Sequence, residues 1–367
     1  MSDPKNTERS LWLGPDGWSV EIIDQTKLPY EVAIARLGSV EDAARAIVTM
    51  QVRGAPLIGV TAAYGAALAL REDASDESLA AADALLRKTR PTAANLGWAL
   101  DEMHARVQPL AVCDRVSAAY ERAAELVEED VAANRAIGEH GLRVLRSLLE
   151  TKKPGAPLQI LTHCNAGRLA TVDWGTATAP IYLAHQSGLP IHVWVSETRP
   201  RNQGAALTAW ELGERGVPLT VIADNAAGHL IQRGAVDIVI VGADRVTAGG
   251  DVANKVGTYL KALAANAHQV PFYVAFPETT IDWKIQDGIA EIPIEQRDAR
   301  EVTHVTGAVG RSKRAEVRVT PEHTAARNDA FDVTPARFVT GFITDRGVCG
   351  ASAAGLKQLF PDAAINL

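Results

Sequence analysis

Asp237-Ile-Val-Ile-Val-Gly-Ala-Asp-Arg245 is the stretch that decides the fold. Its apolar, β-branched centre, residues 238–241, is typical of a strand that is buried on both faces of a parallel sheet. The polarity changes abruptly where this strand ends, at Asp244 and Arg245. Ligands of open α/β sheets bind outside the carboxyl ends of the strands, so Asp244 lies where chemistry is expected.

Five further segments share this pattern of a short apolar run followed by polar residues. With the first, the predicted strands are residues 158–162, 191–195, 219–223, 238–241, 272–276 and 338–343. Helical stretches such as 205–215 and 252–267 separate them, and this alternation predicts βαβ units in a doubly wound, Rossmann-like parallel sheet. Polar residues from six strand ends should therefore meet in one crevice.

The residues that follow the central strand predict a glycine turn and then a helix that begins near residue 252. Asp251 would cap this helix, and Asn254 and Lys255 would lie in its first turn. A lysine there opposes the helix dipole, which indicates that an anionic ligand, rather than folding, requires it. A solvated lysine beside a structural aspartate is the alternative, and the residues alone leave both open.

The first part of the chain predicts a small, mainly helical domain with a β-hairpin. Residues 11–28 alternate apolar and polar side chains around Gly14-Pro15-Asp16-Gly17, which favours a hairpin. Helices are predicted over 39–52, 57–70, 77–87, 95–107 and 114–150, and the pair Pro91-Thr92 favours a helix start before the fourth. Because 367 residues exceed one average domain, we expect this domain over 1–130 and the α/β domain over 131–367.

The composition is that of an ordinary globular protein, with 47% hydrophobic and 22% charged residues. A net charge of −7 argues against nucleic acid or an anionic membrane surface as the main partner. The cysteines, odd in number and without a C-x-x-C pair, favour a reducing compartment, and the histidines lack zinc-ligand spacing. Neither a signal peptide nor a membrane helix is predicted. We therefore expect a cytoplasmic protein without a metal site.

Arg53-Gly-Ala-Pro56 joins two predicted helices and is a candidate anion site. Pro56 suits the first position of the second helix, so Gly54 and Ala55 would present backbone N–H groups at a helix start, with Arg53 beside them. An interhelical turn with a surface arginine is the alternative, and this segment alone does not decide between them.

The glycine-rich loops of dinucleotide binding and P-loop phosphoryl transfer do not occur in the sequence, nor does the G-x-S-x-G nucleophile elbow. What remains is a thiol, Cys164, and a carboxylate, Asp244, both at predicted strand ends. Five polar side chains could hold a phosphate and hydroxyl groups: Arg53, Arg90, Gln203, Asn254 and Lys255. This set suits acid–base chemistry on a small phosphorylated polyol, although an isolated cysteine is more often an inert core residue.

Seven motifs follow one another between residues 50 and 347. They are Arg53-Gly-Ala-Pro-Leu-Ile-Gly59, Arg90-Pro-Thr-Ala-Ala-Asn-Leu96, Thr162-His-Cys-Asn-Ala-Gly167, Glu197-Thr-Arg-Pro200 with Gln203-Gly204, Gly242-Ala-Asp-Arg245, Gly250-Asp-Val-Ala-Asn-Lys-Val-Gly-Thr258 and Ala330-Phe-Asp-Val-Thr-Pro335. Together they resemble the methylthioribose-1-phosphate isomerase family of the methionine salvage pathway. That family also includes ribose-1,5-bisphosphate isomerases and the non-catalytic regulatory subunits of the eukaryotic initiation factor 2 exchange factor.

The resemblance implies an aldose–ketose isomerase that converts 5-methylthioribose 1-phosphate to 5-methylthioribulose 1-phosphate, with 5-deoxyribose 1-phosphate as a further candidate substrate. Cys164 and Asp244 match the family's proposed catalytic pair. The family's substrate-binding positions match Arg53, Gly54, Ala55, Arg90, Gln203, Asn254 and Lys255. The resemblance also implies a homodimer, and we expect no cofactor, nucleic acid or membrane to take part.

The implied reaction has a special difficulty, because the anomeric oxygen is phosphorylated and the sugar ring cannot open by hemiacetal equilibrium. We expect protonated Asp244 to donate to the ring oxygen and the Cys164 thiolate to take the C2 proton, which gives an enediol-type intermediate. A direct hydride shift from C2 to C1 is the alternative, in which the same residues handle only hydroxyl protons. The apolar residues around Asp244 are expected to raise its pKa.

The chain departs from the family pattern at two places. Arg201-Asn202 stands where Tyr-Leu is common, and Asp329 stands where a proline is usual. An isomerase of ribose 1,5-bisphosphate, the first alternative, would need a second phosphate clamp, for which Arg201 is the obvious local candidate. A regulatory binding module, the second alternative, would not need the thiol and the carboxylate.

Overall fold

The computed structural model describes residues 9–90, 93–310 and 313–362 of the chain. Its helices are α1 Val40–Val48, α2 Ala55–Glu72, α3 Asp76–Arg87, α4 Ala94–Val107, α5 Val112–Glu150, α6 Ala179–Gln186, α7 Ala209–Glu214, α8 Ala226–Gln232, α9 Thr258–Ala267, α10 Gly288–Glu291, α11 Arg300–Thr303 and α12 Ala353–Leu359. Its strands are β1 Leu11–Leu13, β2 Val20–Ile23, β3 Ile34–Leu37, β4 Leu158–Thr162, β5 Ile191–Ser196, β6 Leu219–Ile222, β7 Ile238–Val241, β8 Arg245–Thr247, β9 Val252–Lys255, β10 Phe272–Ala275, β11 Ile281–Asp282, β12 His304–Val309, β13 Lys313–Arg318, β14 Phe331–Thr334, β15 Gly341–Ile343 and β16 Val348–Cys349. The polar residues 1–8 and the expected helix start at Pro91-Thr92 lie outside the described residues.

The N-terminal part contains the predicted hairpin, extended by a third strand. β1, β2 and β3 form an antiparallel sheet. The five predicted helices correspond to α1 to α5, and the largest error is at the end of α1, which stops at Val48 instead of residue 52. Ser39 caps α1 as its sequence pattern indicated, because its side chain accepts the N–H of Asp42 at 3.3 Å.

α2 lies at the centre of the N-terminal core. It is apolar and buried on all sides between Leu57 and Leu70, and it packs against α1, α4 and α5. A helix that is apolar all round belongs in a core, which explains this uncharged stretch of sequence. Within the described ranges, no helix is both long enough and apolar enough to cross a membrane.

α5, a helix of 39 residues, contributes to two hydrophobic cores. Ala123 and Leu126, in its first half, pack in the N-terminal core with α2 and α4. Ile137 and Leu145, in its second half, pack with α6 and the central sheet. The predicted domain boundary at residue 130 falls inside this helix.

The remaining part is built on a seven-stranded sheet of order β16-β15-β10-β7-β4-β5-β6. Neighbouring strands are parallel except β15 and β16, so the sheet is mixed with a parallel centre. From β4 the chain proceeds outward to β5 and β6 and then returns to β7, on the other side of β4. The strand order therefore reverses between β4 and β7, which is where open α/β sheets bind ligands.

Helices cover both faces of this sheet. Ile160 and Ile240 face a core that includes α5 and α6, whereas Leu161 and Val241 face a second core that includes α8 and α9. Both faces of the central strand β7 are buried and all four of its residues are apolar, as expected in a parallel sheet covered by helices, and the predicted α/β class is confirmed. Two smaller units complete the structure, a sheet of order β11-β8-β9-β14 and the hairpin of β12 and β13.

Five of the six predicted strands match β4, β5, β6, β7 and β10, with ends that differ by at most one residue. The sixth prediction, 338–343, is wrong at its start. Ala336–Phe338 forms a turn of 3-10 helix, and β15 begins only at Gly341.

The predicted helix start near residue 252 is also wrong. Val252–Lys255 is the strand β9, which pairs with β8 across the glycine turn and with β14 on its other side. Asp251 caps no helix of its own segment; its carboxylate instead accepts the N–H groups of Gly288, the first residue of α10, and of Ala336, the first residue of a 3-10 turn, both at 3.0 Å. α9 begins only at Thr258. The prediction failed because the pairing with β14 joins segments far apart in the sequence, which a local pattern does not show.

Candidate active site

One cavity lies where the strand order reverses, and it encloses about 630 Å³ including its open mouth. All nine residues predicted for the site line it, and they come from both parts of the chain. They are Arg53, Gly54, Ala55, Arg90, Cys164, Gln203, Asp244, Asn254 and Lys255. The structure therefore brings these nine residues together in one cavity.

The segment before α2 forms one wall and approaches the loop after β4 very closely. Gly54 has a φ of 91°, and a Cβ at this position would lie 2.5 Å from atoms of Ala170. Gly54 is also the N-cap of α2 and provides no side-chain cap. The first N–H groups of α2, including that of Ala55, have no acceptor inside the helix, so they are suited to hold an anion.

Arg53 is buried beside this helix start, with 5% of its surface exposed. One terminal nitrogen of Arg53, Nη2, donates to the backbone oxygen and to the side-chain oxygen Oδ1 of Asn165, both at 2.8 Å. The other terminal nitrogen, Nη1, is buried and has no hydrogen-bond acceptor among the described residues. Burial lowers the pKa of Arg53, but a guanidinium stays protonated in proteins. An anionic ligand would relieve the cost of this buried, unpartnered donor.

Arg90 supplies a second cation that protein groups satisfy only in part. Its Nε lies 3.8 Å from Oε2 of Glu295, which is an ion pair but too long for a hydrogen bond. Within the described structure, the buried Nε and Nη1 atoms of Arg90 have no hydrogen-bond acceptor. Burial lowers the pKa of Arg90 as well.

Lys255 is the third cation and reaches the cavity from β9. Its Nζ donates to the backbone oxygen of Ala330 at 2.8 Å and lies 4.3 Å from the centroid of the Phe331 ring. Burial lowers the pKa of Lys255. The preceding residue, Asn254, is buried and donates to the Thr258 hydroxyl at 3.0 Å.

Cys164 follows β4 and is held in an unusual backbone conformation. Its φ is 64°, and its N–H donates at 2.8 Å to the hydroxyl of Thr198, whose own φ is 66°. Such strained residues concentrate at functional sites. The Sγ atom lies 3.5 Å from Oε1 of Gln203. Burial raises the pKa of the thiol, although Arg53 and Lys255 oppose the shift, so these surroundings favour the thiol over the expected thiolate.

Asp244 follows β7 and is partly buried at the cavity wall. Its backbone N–H donates to Ala253 at 2.9 Å, whereas no side chain in the described residues hydrogen-bonds to its carboxyl group. Burial raises the pKa of this carboxyl group, and Lys255 and Arg90 act in the opposite direction. A raised pKa is what a carboxylic acid needs to act as a proton donor near neutral pH.

Sequence reasoning missed the residues that hold these side chains in place. Asn165 and Thr198 lie inside two of the quoted motifs, which was a usable signal. Glu211 and Glu295 gave no signal, because a glutamate on a short amphipathic helix or in a loop usually faces solvent. In the structure Glu211 is fully buried and bonds to Asn165, and Glu295 pairs with Arg90.

Arg201 lies in a neighbouring groove rather than in the cavity itself. It pairs with Glu301 at 2.7 Å, and Arg297 bonds to the same carboxylate at 2.9 Å. Burial opposes the ionisation of Glu301, but the hydrogen bonds from Arg297 and Arg201 outweigh it and lower the pKa to about 2. The charge of Arg201 is therefore balanced by the protein, which weakens the argument for a second phosphate clamp.

Comparison with known proteins gives a consistent result. The pattern that describes the initiation factor 2 subunit family matches residues 51–351. The chain is 60% identical over 353 residues to a protein of Brucella anthropi named methylthioribose-1-phosphate isomerase. The match covers 96% of this chain and 97% of that protein.

Two solved structures are also similar. The crystal structure of 5-methylthioribose 1-phosphate isomerase from Pyrococcus horikoshii OT3 has a TM-score of 0.82 and 39% identity, with 98% of each chain covered. The translation initiation factor eIF-2B, subunit delta, from A. fulgidus has a TM-score of 0.78 and 38% identity, with 96% of this chain and 99% of that chain covered. The chain therefore belongs to the initiation factor 2 subunit family, and within it to the group whose members are named methylthioribose-1-phosphate isomerase.

Proposed function

We propose that this protein is an aldose–ketose isomerase that converts 5-methylthioribose 1-phosphate to 5-methylthioribulose 1-phosphate in methionine salvage. The observation that carries the proposal is a cavity in which a thiol and a carboxyl group share the wall with three buried cations. Among the described residues, buried nitrogen atoms of Arg53 and Arg90 have no hydrogen-bond acceptor, and a sugar phosphate would supply acceptor oxygens with the matching charge. The identity over nearly the whole length of a relative with this name supports the same substrate.

In this proposal the phosphate binds at the start of α2. Arg53 and the N–H groups of Gly54 and Ala55 clamp it, because a guanidinium fork and a helix N-terminus both match its geometry. Lys255 and Arg90 add positive charge. Gln203 and Asn254 hold the sugar hydroxyl groups, since amide side chains can both donate and accept hydrogen bonds.

Asp244 and Cys164 carry the chemistry in this proposal. Protonated Asp244 donates to the ring oxygen and opens the ring, after which hydrogen moves from C2 to C1. In the proton-transfer route Cys164 must first lose its proton, against the raised pKa of the thiol. In the hydride-shift route Cys164 handles only a hydroxyl proton. Deuterium from solvent at C1 of the product would establish the first route, because a hydride shift introduces none.

Three broader features belong to the proposal. A chain divided near residue 130 is supported by the two cores that meet along α5. A doubly wound, Rossmann-like second domain is supported by the reversal of strand order between β4 and β7 and by helices on both faces. A homodimer is what the sequence resemblance implies, and a cytoplasmic location is what the cysteine pattern favours.

The experiment that tests the function is turnover of the purified protein on three sugars. These are 5-methylthioribose 1-phosphate, 5-deoxyribose 1-phosphate and ribose 1,5-bisphosphate, and ketose formation is the readout. The proposal predicts the highest kcat/KM on the methylthio sugar. A preference for the bisphosphate would favour the first alternative, and turnover of none would favour a regulatory protein of the initiation-factor type.

A further inference from the structure

Glu211 is a fully buried carboxylate that lies directly behind the cavity wall and has no place in the chemistry above. It is on α7, which follows a turn of π-helix at Gly204–Thr208. π-helical turns are frequent at functional sites, and this one directs both Thr208 and Glu211 toward the loop after β4. The loop encloses the carboxylate so tightly that a Cβ on Gly167 would lie 1.3 Å from its Oε1 atom.

The contacts of Glu211 fix the orientation of one amide side chain. The Nδ2 group of Asn165 donates to Oε1 of Glu211 and to the hydroxyl of Thr208, both at 3.0 Å. A carboxylate only accepts hydrogen bonds, and the Thr208 hydroxyl already donates to the backbone oxygen of Cys164 at 2.7 Å. The amide oxygen of Asn165 must therefore face the other way.

That oxygen faces Arg53. The Oδ1 atom of Asn165 accepts a hydrogen bond from Nη2 of Arg53 at 2.8 Å, and the backbone oxygen of Asn165 accepts from the same nitrogen at the same distance. Two acceptors thus hold one end of the guanidinium, and Nη1 of Arg53 is buried without a protein acceptor in the described residues. A flipped Asn165 amide would bring two donors together and displace the guanidinium.

We propose that Glu211 is a positioning residue that fixes Asn165, and through it the Arg53 guanidinium, in the orientation that receives the substrate phosphate. The chain of contacts runs from Glu211 to Asn165 and from Asn165 to Arg53. Glu211 also accepts the N–H of Leu169 at 3.3 Å, so the same carboxylate fixes the loop that carries Cys164. The kinetic part of this inference rests on the proposed function, whereas the binding part does not.

The test uses Glu211→Gln, which keeps the shape of the side chain, removes its charge and replaces one of its two acceptor oxygens by an NH₂ donor. Binding of inorganic phosphate is measured by calorimetry, and kcat and KM are measured with 5-methylthioribose 1-phosphate. Glu211→Gln should weaken phosphate binding and raise KM about tenfold, the effect of losing a charge-assisted hydrogen bond, with kcat less affected. Glu214→Gln, which removes the same charge from an exposed position on the same helix, is the matched control and should change neither.

A second variant separates positioning from folding. In Glu211→Gln combined with Asn165→Asp, the negative charge moves from one partner to the other, and the new carboxylate can accept from both the amide introduced at position 211 and the Arg53 guanidinium. Recovery of most of the phosphate affinity in this double variant supports the inference. Equal loss in the single and double variants, together with lower thermal stability in both, would show that Glu211 is merely structural.

The remaining outcomes also decide the matter. A folded Glu211→Gln variant with unchanged phosphate affinity contradicts the inference, and so does a wild-type protein that binds no phosphate. A wild-type protein without isomerase activity removes the proposed function. In that case weaker phosphate binding by Glu211→Gln, restored in the double variant, still supports the positioning role.

Discussion

Replacement of Lys255 by methionine should raise the free energy of unfolding of the unliganded protein and lower its kcat/KM. The side chain is buried to 8% exposure on β9, and burial lowers the pKa of its ammonium group. Methionine has a similar length and no charge. The ammonium group therefore contributes a desolvation cost in the empty site that the variant avoids.

The magnitude follows from the contacts that Lys255 makes. The variant loses one charged hydrogen bond, to the Ala330 oxygen, worth about 1.5–3 kcal/mol, and a cation–π contact with Phe331 worth about 1 kcal/mol. The Ala330 oxygen still accepts the N–H of Val256 at 3.1 Å, so it is not left unpaired. The desolvation penalty of a buried ion is several kcal/mol. We expect the free energy of unfolding to rise by about 1–2 kcal/mol, the excess of the avoided penalty over the lost contacts.

Thermal unfolding with and without inorganic phosphate, together with steady-state kinetics, checks both halves of this prediction. The unliganded variant should melt a few degrees higher than the wild type, and phosphate should stabilise it less, because its affinity for the anion is weaker. Its kcat/KM should fall by about 100-fold, which corresponds to about 2.7 kcal/mol of lost interaction. Lys357→Met, at an exposed position on α12, is the control and should change neither quantity. An unliganded variant that melts several degrees lower, with its phosphate response intact, would refute the reasoning.

Three further predictions concern single features of the site. Gly54→Ala should lower the free energy of unfolding by about 2–5 kcal/mol in denaturant titrations, because the φ of 91° and the contact with Ala170 both oppose a Cβ. The control is Gly213→Ala, where a Cβ would meet no atom within 4 Å, and this variant should be neutral or stabilising. The value of kcat/KM should decline as pH rises through the raised pKa of Asp244, since the acid must be protonated. In Lys255→Met this decline should move to higher pH, because Lys255 lowers the pKa of Asp244. A decline at the same pH in both proteins would contradict the assignment. Arg201→Met should change KM for the methylthio sugar by no more than about twofold and the free energy of unfolding by no more than about 1 kcal/mol. The reason is that the ion pair of Arg201 with Glu301 is partly exposed and that Arg297 still bonds to Glu301. A tenfold rise in KM would place Arg201 in the substrate site.

Local pattern was sufficient to predict the strands that carry the site. Strands buried on both faces are continuous apolar runs with abrupt polar ends, so β4 and β7 could be located to the residue, and with them Cys164 and Asp244. The start of α2 was predicted to within two residues, because glycine and proline mark a helix start by their backbone geometry alone.

Long-range contacts account for what could not be predicted. Asn254 and Lys255 were expected on a helix, but pairing with β14 makes their segment a strand. In the sequence, Glu211 resembles a surface residue of a short helix, but in the structure the loop after β4 covers it. Likewise, the ion pair between Arg90 and Glu295 joins two segments that share no local pattern.

The protonation state of Asp244 and Cys164, the proposed catalytic pair, was predicted only in part. The raised pKa of Asp244 follows from its apolar surroundings, and those were visible in the sequence. Burial acts on Cys164 in the same direction, although two cations lie near the thiol. The balance between burial and neighbouring charge depends on three-dimensional distances, so the sequence did not determine which of the two would dominate.

The proposed isomerisation of a sugar 1-phosphate by Asp244 and Cys164 is tested most directly by following the reaction by NMR. Purified wild-type protein, Asp244→Asn and Cys164→Ser are each incubated with 5-methylthioribose 1-phosphate, and the loss of the anomeric signal and the appearance of a ketone carbonyl are recorded. We expect conversion by the wild type and, in Asp244→Asn, a rate lower by about 10²–10⁴-fold with the fold retained. A wild-type protein that leaves the sugar unchanged, or an Asp244→Asn variant with full turnover, would contradict the proposal.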